Sequence, residues 1–216
     1  RMNSFRGFIL CLGATFALPW IFLIVVPFKA TSNLDVVEFE VEGEKVTYPP
    51  ARVGAVRGAE VYARNGCAYC HTQMVRPTYA GTDMWRPGWA GRGGEESTLR
   101  STIPQDYLGE KYAYLGALRH GPDLSNVGWR ITDRKWHYEH LYDPRSIKPT
   151  TIMPSYRNLF EKRRVIGQLS ADAIETFEKN GETWEVVPSN DAKSLVDYLM
   201  SLKKDFLVPD SLAATK

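Results

Sequence analysis

The chain has 216 residues, of which 44% are hydrophobic, so it is long and apolar enough for one or two domains with a buried core. Its net charge is only +2, and its Lys and Arg residues are spread along the whole length. This balance offers no strongly basic surface, and we expect no nucleic acid as a partner. Three cysteines are too few for a fold held by disulfides.

An uncharged stretch from Phe8 to Phe28 predicts a transmembrane helix. At about 1.5 Å rise per residue, a helix of this length spans roughly the 30 Å of a bilayer core. A cleaved signal peptide is the alternative, but its apolar core is usually about 7 to 15 residues long, and no small-residue cleavage site follows Pro27. Pro19 interrupts the span, which a local kink or a neighbouring subunit could accommodate.

The residues that flank the span predict its orientation. Arg1 and Arg6 precede it, and a single Lys29 follows it before a run of acidic residues. Because basic residues favour the cytoplasmic side, we expect the amino terminus in the cytoplasm and the rest of the chain outside.

Turn residues and periodicity predict the elements that come next. Alternating apolar and charged residues around Glu42-Gly43 indicate a short hairpin at the membrane edge, ended by Pro49-Pro50. A helix over 55–64 should follow, with Asn65-Gly66 as its stop. Residues 74–100, rich in Gly, Pro, Trp and Arg, predict a long ordered loop.

Three further helices are predicted towards the carboxyl terminus. The first covers Thr132 to Leu141 with Thr132 as its cap, and the second covers Ser170 to Lys179 with Ser170 as its cap. The third is an amphipathic helix in the sequence SNDAKSLVDYLMSLKK, with one apolar stripe formed by Leu195, Leu199 and Leu202.

The sequence NGCAYCHTQMVRP, residues 65–77, carries the clearest chemical signal. Two thiols and an imidazole could bind zinc, but a structural zinc site needs four ligands, and the third cysteine, Cys11, lies in the membrane span. A redox dithiol would need a strand before the motif and a helix after it, whereas a helix precedes and a loop follows. The spacing of Cys67, Cys70 and His71 suits c-type haem attachment, in which both thiols bond to the porphyrin and the imidazole binds the iron. An exported domain strengthens this interpretation, because free thiols would oxidise there.

A sixth iron ligand is then expected among the methionines after the motif. Met74 is too close in sequence to His71 to reach the opposite face of the ring, and Met200 falls in the closing helix, where packing explains it. Met153 lies in an irregular, proline-bounded segment and is the preferred ligand. Ligation by His and Met raises the haem potential and suits electron transfer. The rival ligands are Met84, His120, His137 and His140.

Other side chains are expected to complete such a haem site. The ring nitrogen of His71 that does not bind iron should donate to a carbonyl, and the Gly121-Pro122 turn lies well downstream of the motif. Arg76 is the first candidate for a haem propionate because it is tied to the motif. Trp85, Trp89 and Trp129 are expected in core or subunit contacts. The other candidate arginines are Arg86, Arg92 and Arg130.

Four segments together support a family resemblance. GCAYCHTQMVRP, GPDLSNVGWR, KWHYEHLYDPRS and IMPSY occur in the order found in the membrane-anchored monohaem cytochrome c subunit of cbb3-type cytochrome c oxidases, the FixO or CcoO type. The sequence resembles this family over roughly residues 8–160, and the most diagnostic part is the tail from Gln73 to Pro77. The resemblance implies thioether bonds at Cys67 and Cys70, axial ligation by His71 and Met153, and a hydrogen bond from His71 to the carbonyl of Pro122.

The expected fold class is mainly α, with one N-terminal transmembrane helix followed by a cytochrome c-like helical domain with long irregular insertions. Residues 1–30 would form the anchor and 31–50 a membrane-proximal hairpin and linker. Residues 51–205 would form the cytochrome c domain, with an insertion at about 74–118, and residues 206–216 a tail.

The resemblance implies that the chain relays single electrons in a bacterial inner membrane, with its haem domain in the periplasm. Electrons would come from a soluble cytochrome c or a dihaem partner subunit and pass to the catalytic haem-copper subunit, which reduces oxygen. Membrane lipid would be a further partner. Two alternatives stay open: the cytochrome c subunit of a nitric oxide reductase, which shares the single anchor and haem, and an anchored metal or thiol protein without haem. The tail from Gln73 to Pro77 counts against the first alternative.

Overall fold

The computed structural model describes residues 4–41, 43–50, 55–91, 99–204, 206 and 208. An N-terminal helix and a hairpin precede a mostly helical unit that includes a small sheet. Helices account for about 41% of the chain and strands for 14%, so the prediction of a mainly α fold is confirmed only in part.

The N-terminal helix extends over Ser4–Thr31 and is long and apolar enough to cross a membrane. It consists of α1 (Ser4–Trp20), one π-helical turn (Ile21–Val25) and α2 (Val26–Thr31). Pro19 has no backbone N–H, and the π turn follows directly after it. There the Val26 N–H donates to the Ile21 carbonyl, five residues back. The helix therefore contains one π turn, which lies between Pro19 and Pro27.

The predicted hairpin is confirmed. Strands β1 (Val37–Val41) and β2 (Glu44–Tyr48) pair antiparallel, with Val37 opposite Tyr48. The Tyr48 side chain is buried, and its hydroxyl donates to Asp106 at 2.7 Å. This bond ties the hairpin to the long loop of the main unit.

Two helices that are distant in sequence form the centre of the core. Helix α3 (Val56–Arg64) packs against α7 (Asn190–Ser201), and both were predicted. A Cβ at Gly58 would lie 2.0 Å from the Ser194 carbonyl oxygen, so the close approach of the helices requires glycine. The Ser189 hydroxyl caps α7 by accepting a hydrogen bond from the Ala192 N–H at 3.3 Å.

Three further helices lie between them in the sequence: α4 (Val127–Arg130), α5 (Arg134–Tyr142) and α6 (Pro144–Ile147). Helix α5 begins later than predicted, because Asp133 rather than Thr132 is its cap. The Asp133 carboxylate accepts a hydrogen bond from the Lys135 N–H at 2.8 Å.

The long loop expected over 74–100 is confirmed for its described part, since residues 74–91 and 99–100 contain no α-helix or strand. A buried carboxylate, Asp83, holds it in place. Asp106 plays the same part just after the loop, where it accepts hydrogen bonds from two guanidinium nitrogens of Arg100, both at 2.7 Å. The loop is therefore ordered by buried ion pairs rather than by regular structure.

The prediction of a helix over 170–179 is wrong. This region contributes β4 (Glu175–Lys179) to a three-stranded antiparallel sheet with β3 (Phe160–Arg164) and β5 (Glu182–Pro188), in the order β3-β5-β4. Asn180 and Gly181 both have positive φ, 55° and 74°, and close the turn between β4 and β5. An Asn-Gly pair can end a helix, but it is also the preferred two-residue hairpin turn. The following strand, rich in β-branched and aromatic residues, decides between the two by offering β4 a partner.

Ser170, predicted as a helix cap, instead contacts Glu185 on β5. Both its backbone N–H and its hydroxyl donate to the Glu185 carboxylate, at 2.8 and 2.7 Å, and Arg163 donates to it at 2.8 Å. These hydrogen bonds, chiefly those from Ser170, lower the pKa of Glu185 from 4.5 to about 2.

A carboxylate with a lowered pKa stabilises the fold above its unfolded pKa and loses that contribution as the pH falls towards its folded pKa. We therefore expect wild-type stability to fall between pH 4.5 and about 2 partly because Glu185 becomes protonated. The Glu185→Gln chain should be less stable near neutral pH and should lose less stability over this acid range. Thermal unfolding in detergent, followed by circular dichroism across the range, measures both effects. The matched control is Glu182→Gln, an exposed carboxylate paired with Arg164 at 2.7 Å, which should keep the wild-type profile; equal profiles for all three chains would contradict the prediction.

Candidate functional site

The Cys-x-x-Cys-His segment forms one tight turn directly after α3. The chain leaves the helix at Asn65 and reverses at Gly66, with φ 72°. The backbone N–H groups of Cys70 and His71 then both donate to the Cys67 carbonyl, at 3.2 and 3.0 Å. This turn brings the two thiols and the imidazole to one cavity, which all three line.

The cavity has a volume of about 350 Å³ and is lined mainly by apolar side chains. Its walls come from α3, the motif, the turn around Pro122, helices α5 and α7, and the irregular segment that contains Met153. Among the sequence-predicted site residues, Cys67, Cys70, His71, Pro122 and Met153 lie at the cavity. The rival ligands His120, His137 and His140 also line it, whereas Met84 does not.

The His71 ring is fixed on two sides. Its Nδ1 lies 2.8 Å from the Pro122 carbonyl oxygen, and because a carbonyl can only accept, Nδ1 is the protonated nitrogen. Burial lowers the pKa of His71, so the neutral ring leaves Nε2 with a free lone pair. A Cβ at Gly121 would lie 2.2 Å from the ring, so glycine is required beside it. The Gly121 N–H also donates to the Cys70 carbonyl at 2.9 Å, which ties the turn to the motif.

Met153 is half-buried in an extended segment that its neighbours hold. Its backbone N–H donates to the Thr151 hydroxyl at 3.2 Å. Three residues later, the Tyr156 N–H donates to the carbonyl of Leu141 on α5 at 2.8 Å. These contacts fix the irregular segment on both sides of the thioether.

The arginines predicted to contact a haem propionate differ in whether they line the cavity. Arg76 is not among the residues that line the cavity, because its guanidinium bonds Asp83 at 3.0 and 3.2 Å. Arg86 is exposed and lies over the Trp89 ring, 4.6 Å from its centroid, and Arg92 lies outside the described residues. Arg130 is the candidate that lines the cavity.

Arg130 is positioned by main-chain oxygens. It donates to the carbonyls of Gly88 and Asp123, at 3.1 and 2.6 Å. Burial lowers the pKa of the guanidinium, although it remains charged. No carboxylate of the described residues lies within ion-pair distance of it, so its charge is available to an anion in the cavity.

A buried ionic network lies directly behind the motif, and the sequence did not reveal it. The Thr72 hydroxyl donates to Asp123 at 2.6 Å, and Arg119 donates from Nε to the Thr72 hydroxyl at 2.6 Å. The same guanidinium donates two hydrogen bonds to the Asp83 carboxylate, at 2.7 and 2.8 Å. Charged residues so far apart in sequence form no local pattern that predicts their pairing. The signal that the sequence offered was the Gly and Pro residues around them, which predicted an ordered loop.

The structure counts against the zinc and dithiol interpretations of the motif. No group of three or more His, Cys, Asp or Glu side chains could hold a metal ion within the part of the chain that is described. Burial raises the pKa of Cys67 to about 12, whereas reactive thiols have lowered pKa values.

Comparison with known proteins also supports a haem site. The sequence matches no curated protein. Residues 34–205 match the family described as "Cytochrome C oxidase, mono-heme subunit/FixO", and this match covers well over half of the chain. The description implies one haem and partner subunits in an oxidase complex, and the helix over Ser4–Thr31 fits a membrane-anchored subunit. The chain therefore belongs to the FixO family of mono-haem cytochrome c oxidase subunits.

Proposed function

We propose that this chain is the electron-transfer subunit of a cbb3-type haem-copper oxidase. It would take single electrons from a soluble cytochrome c or a dihaem cytochrome c subunit and pass them to the catalytic subunit that reduces oxygen to water. The observation that carries the proposal is the cavity itself, in which two thiols, an imidazole with a free Nε2 and a thioether meet inside a chain of the mono-haem family.

The residues present fit one haem c. Cys67 and Cys70 lie in the same turn and would hold the porphyrin through thioether bonds. His71, with its proton on Nδ1, would offer Nε2 to the iron, and Met153 would offer its sulfur as the second axial ligand. When bound, haem c supplies a one-electron carrier.

The chain's own residues would set the properties of that carrier. The Pro122 carbonyl keeps the His71 proton on Nδ1 and increases the electron density of the ring. The apolar walls from α5 and α7, including Leu195 and Leu199, exclude water and favour the state of lower charge. Arg130 replaces Arg76 as the arginine proposed to face a propionate, because only Arg130 lines the cavity.

The anchor and its flanking charges support a location in the bacterial inner membrane. The single helix would be surrounded by lipid and by the catalytic subunit, with the amino terminus in the cytoplasm and the haem domain in the periplasm. The oxygen-reducing centre would belong to the catalytic subunit and not to this chain.

The haem assignment is tested on the wild-type chain by a denaturing gel stained for haem peroxidase activity. We expect a stained band near 24.5 kDa, because thioether bonds survive denaturation. A Cys11→Ala chain should stain equally, since this cysteine lies in the membrane helix. A colourless wild-type band would overturn the haem assignment.

The oxidase assignment is tested on the whole complex purified in mild detergent. We expect copper and oxygen consumption to accompany this chain. Nitric oxide reduction with non-haem iron and no copper would instead assign the chain to a nitric oxide reductase.

A further inference from the structure

One histidine on the cavity wall has a buried ring nitrogen with no hydrogen-bond partner among the described residues. This is Nδ1 of His140, on α5. A buried polar atom without a partner is costly, so such atoms are usually satisfied by protein, water or ligand. Because His140 lines the cavity that also holds Cys67, Cys70 and His71, a ligand there is the natural partner.

Two other histidines of the cavity are already hydrogen-bonded. His71 bonds the Pro122 carbonyl through Nδ1, and Nε2 of His137 lies 3.0 Å from the Ile131 carbonyl. The Tyr62 hydroxyl also lacks a well-formed hydrogen bond, but it lies beside the Gln73 amide, whose effect on its pKa opposes that of burial. The cavity therefore has two buried polar atoms without a hydrogen-bond partner among the described residues, the Tyr62 hydroxyl and Nδ1 of His140. The first lies beside Gln73, and a ligand is the partner expected for the second.

The His140 ring is held in a fixed plane. It stacks on Trp136, one turn earlier on α5, with ring centroids 4.7 Å apart and an interplanar angle of 16°. Trp136 lines the same cavity. This stacking resists rotation of the imidazole. A hydrogen-bond partner for Nδ1 must therefore lie where the ring already points.

The chemistry of the site narrows the choice of partner. In a neutral imidazole, Nδ1 donates when it carries the proton and accepts when Nε2 carries it. Beside a ligand that offers only acceptors, the proton belongs on Nδ1. The periphery of a haem is apolar apart from its two propionate carboxylates. Arg130, which also lines the cavity and has no described carboxylate as ion-pair partner, provides a second group that attracts an anion. We propose that His140 donates a hydrogen bond from Nδ1 to a propionate carboxylate of the haem, a contact that rests on the proposed function.

The test uses the full chain in detergent and two replacements of the same residue. His140→Phe keeps an aromatic ring for Trp136 but removes the donor, whereas His140→Asn keeps an N–H near the position of Nδ1. We expect the Phe chain to retain covalent haem, to shift the propionate bending band in resonance Raman spectra, and to have a lower midpoint potential, because the carboxylate charge loses its donor. The Asn chain should remain close to wild type in both measurements. The control is Glu139→Gln, the neighbour of His140 on α5, which pairs with Lys135 away from the cavity and should move neither.

An unmoved propionate band and potential in His140→Phe would overturn the contact, and that outcome includes the case in which Nδ1 binds only a water. Equal shifts in Glu139→Gln would overturn it as well. Should His140→Phe not fold, nuclear magnetic resonance of the wild-type chain decides: a protected His140 ring proton close to the propionate methylene groups is expected, and its absence overturns the contact. Haem staining of the wild-type chain separates the two proposals, since a haem-bearing chain without this contact leaves the proposed function intact.

Discussion

The Met153→Ala chain is expected to keep its covalent haem but to lose the weak sulfur-to-iron charge-transfer band of ferric His/Met haem. Its midpoint potential should also fall, because a thioether ligand favours the ferrous state. Axial ligands move haem potentials over a range of about 0.8 V, and about 59 mV already changes a one-electron equilibrium tenfold. We therefore expect a fall well beyond 59 mV, measured by spectroelectrochemical titration, and electron sharing with the donor reduced by far more than tenfold.

Met74→Ala is the matched control. This methionine follows the motif more closely, but its side chain is not among those that line the cavity. Its backbone N–H and carbonyl are held by Asp123 and Arg119, so the loop should keep its path. We expect the band and the potential to stay near wild type. A Met153→Ala chain that retains both would mean that another residue binds the iron.

The second large effect is expected from Asp83→Asn. The Asp83 side chain is fully buried and accepts hydrogen bonds from Arg76 and Arg119. Burial alone would raise its pKa, but the hydrogen bonds from Arg119 and Arg76 lower it well below the usual range. Without the carboxylate, Arg76 and Arg119 face each other, and Arg119 keeps only the longer ion pair, with Asp123 at 3.6 Å. Breaking a buried ion pair costs about 3 to 5 kcal/mol, and we expect the lower end because Arg76 can reach water.

Urea unfolding in detergent measures this loss as a lower midpoint at an unchanged slope. Asp191→Asn is the control, since Asp191 also pairs with two arginines, Arg57 and Arg64, but at the surface. Its removal should change stability far less, because exposed ion pairs are screened by water. Equal losses for both variants would show that burial does not set the strength of the Asp83 pairs.

The Asp83 network also explains the tail of the motif, from Gln73 to Pro77. Gln73 is buried and exchanges hydrogen bonds with the Tyr198 hydroxyl at 2.9 and 3.0 Å. The Met74 N–H donates to Asp123, and Arg76 binds Asp83. The tail therefore anchors the haem motif to the loop and to α7. These residues therefore contribute to the fold, and the pairing of Arg76 with Asp83 could not be predicted from its sequence neighbours.

Sequence patterns predicted the elements that local signals define. Helices α3 and α7 have apolar stripes and turn or cap residues at their ends, so both were found, and the Cys-x-x-Cys-His spacing located the cavity. Strand β4 was missed because Asn180-Gly181 ends helices and hairpins alike, and only pairing with β5 settles the choice. Lys204, just after α7, is buried beside Glu110 and the Tyr107 ring, which the helical pattern of α7 did not predict. Such long-range pairs leave no periodic trace in the sequence.

The crossing of α3 and α7 at Gly58 has a consequence for the order of assembly. Gln73 and Tyr198, which join the motif to α7, are 125 residues apart, and α7 also supplies Leu195 and Leu199 to the cavity wall. During synthesis the thiols of the motif therefore leave the ribosome long before the wall that covers them. Until α7 docks, the cavity lacks this wall, so Cys67 and Cys70 are less enclosed than in the folded chain.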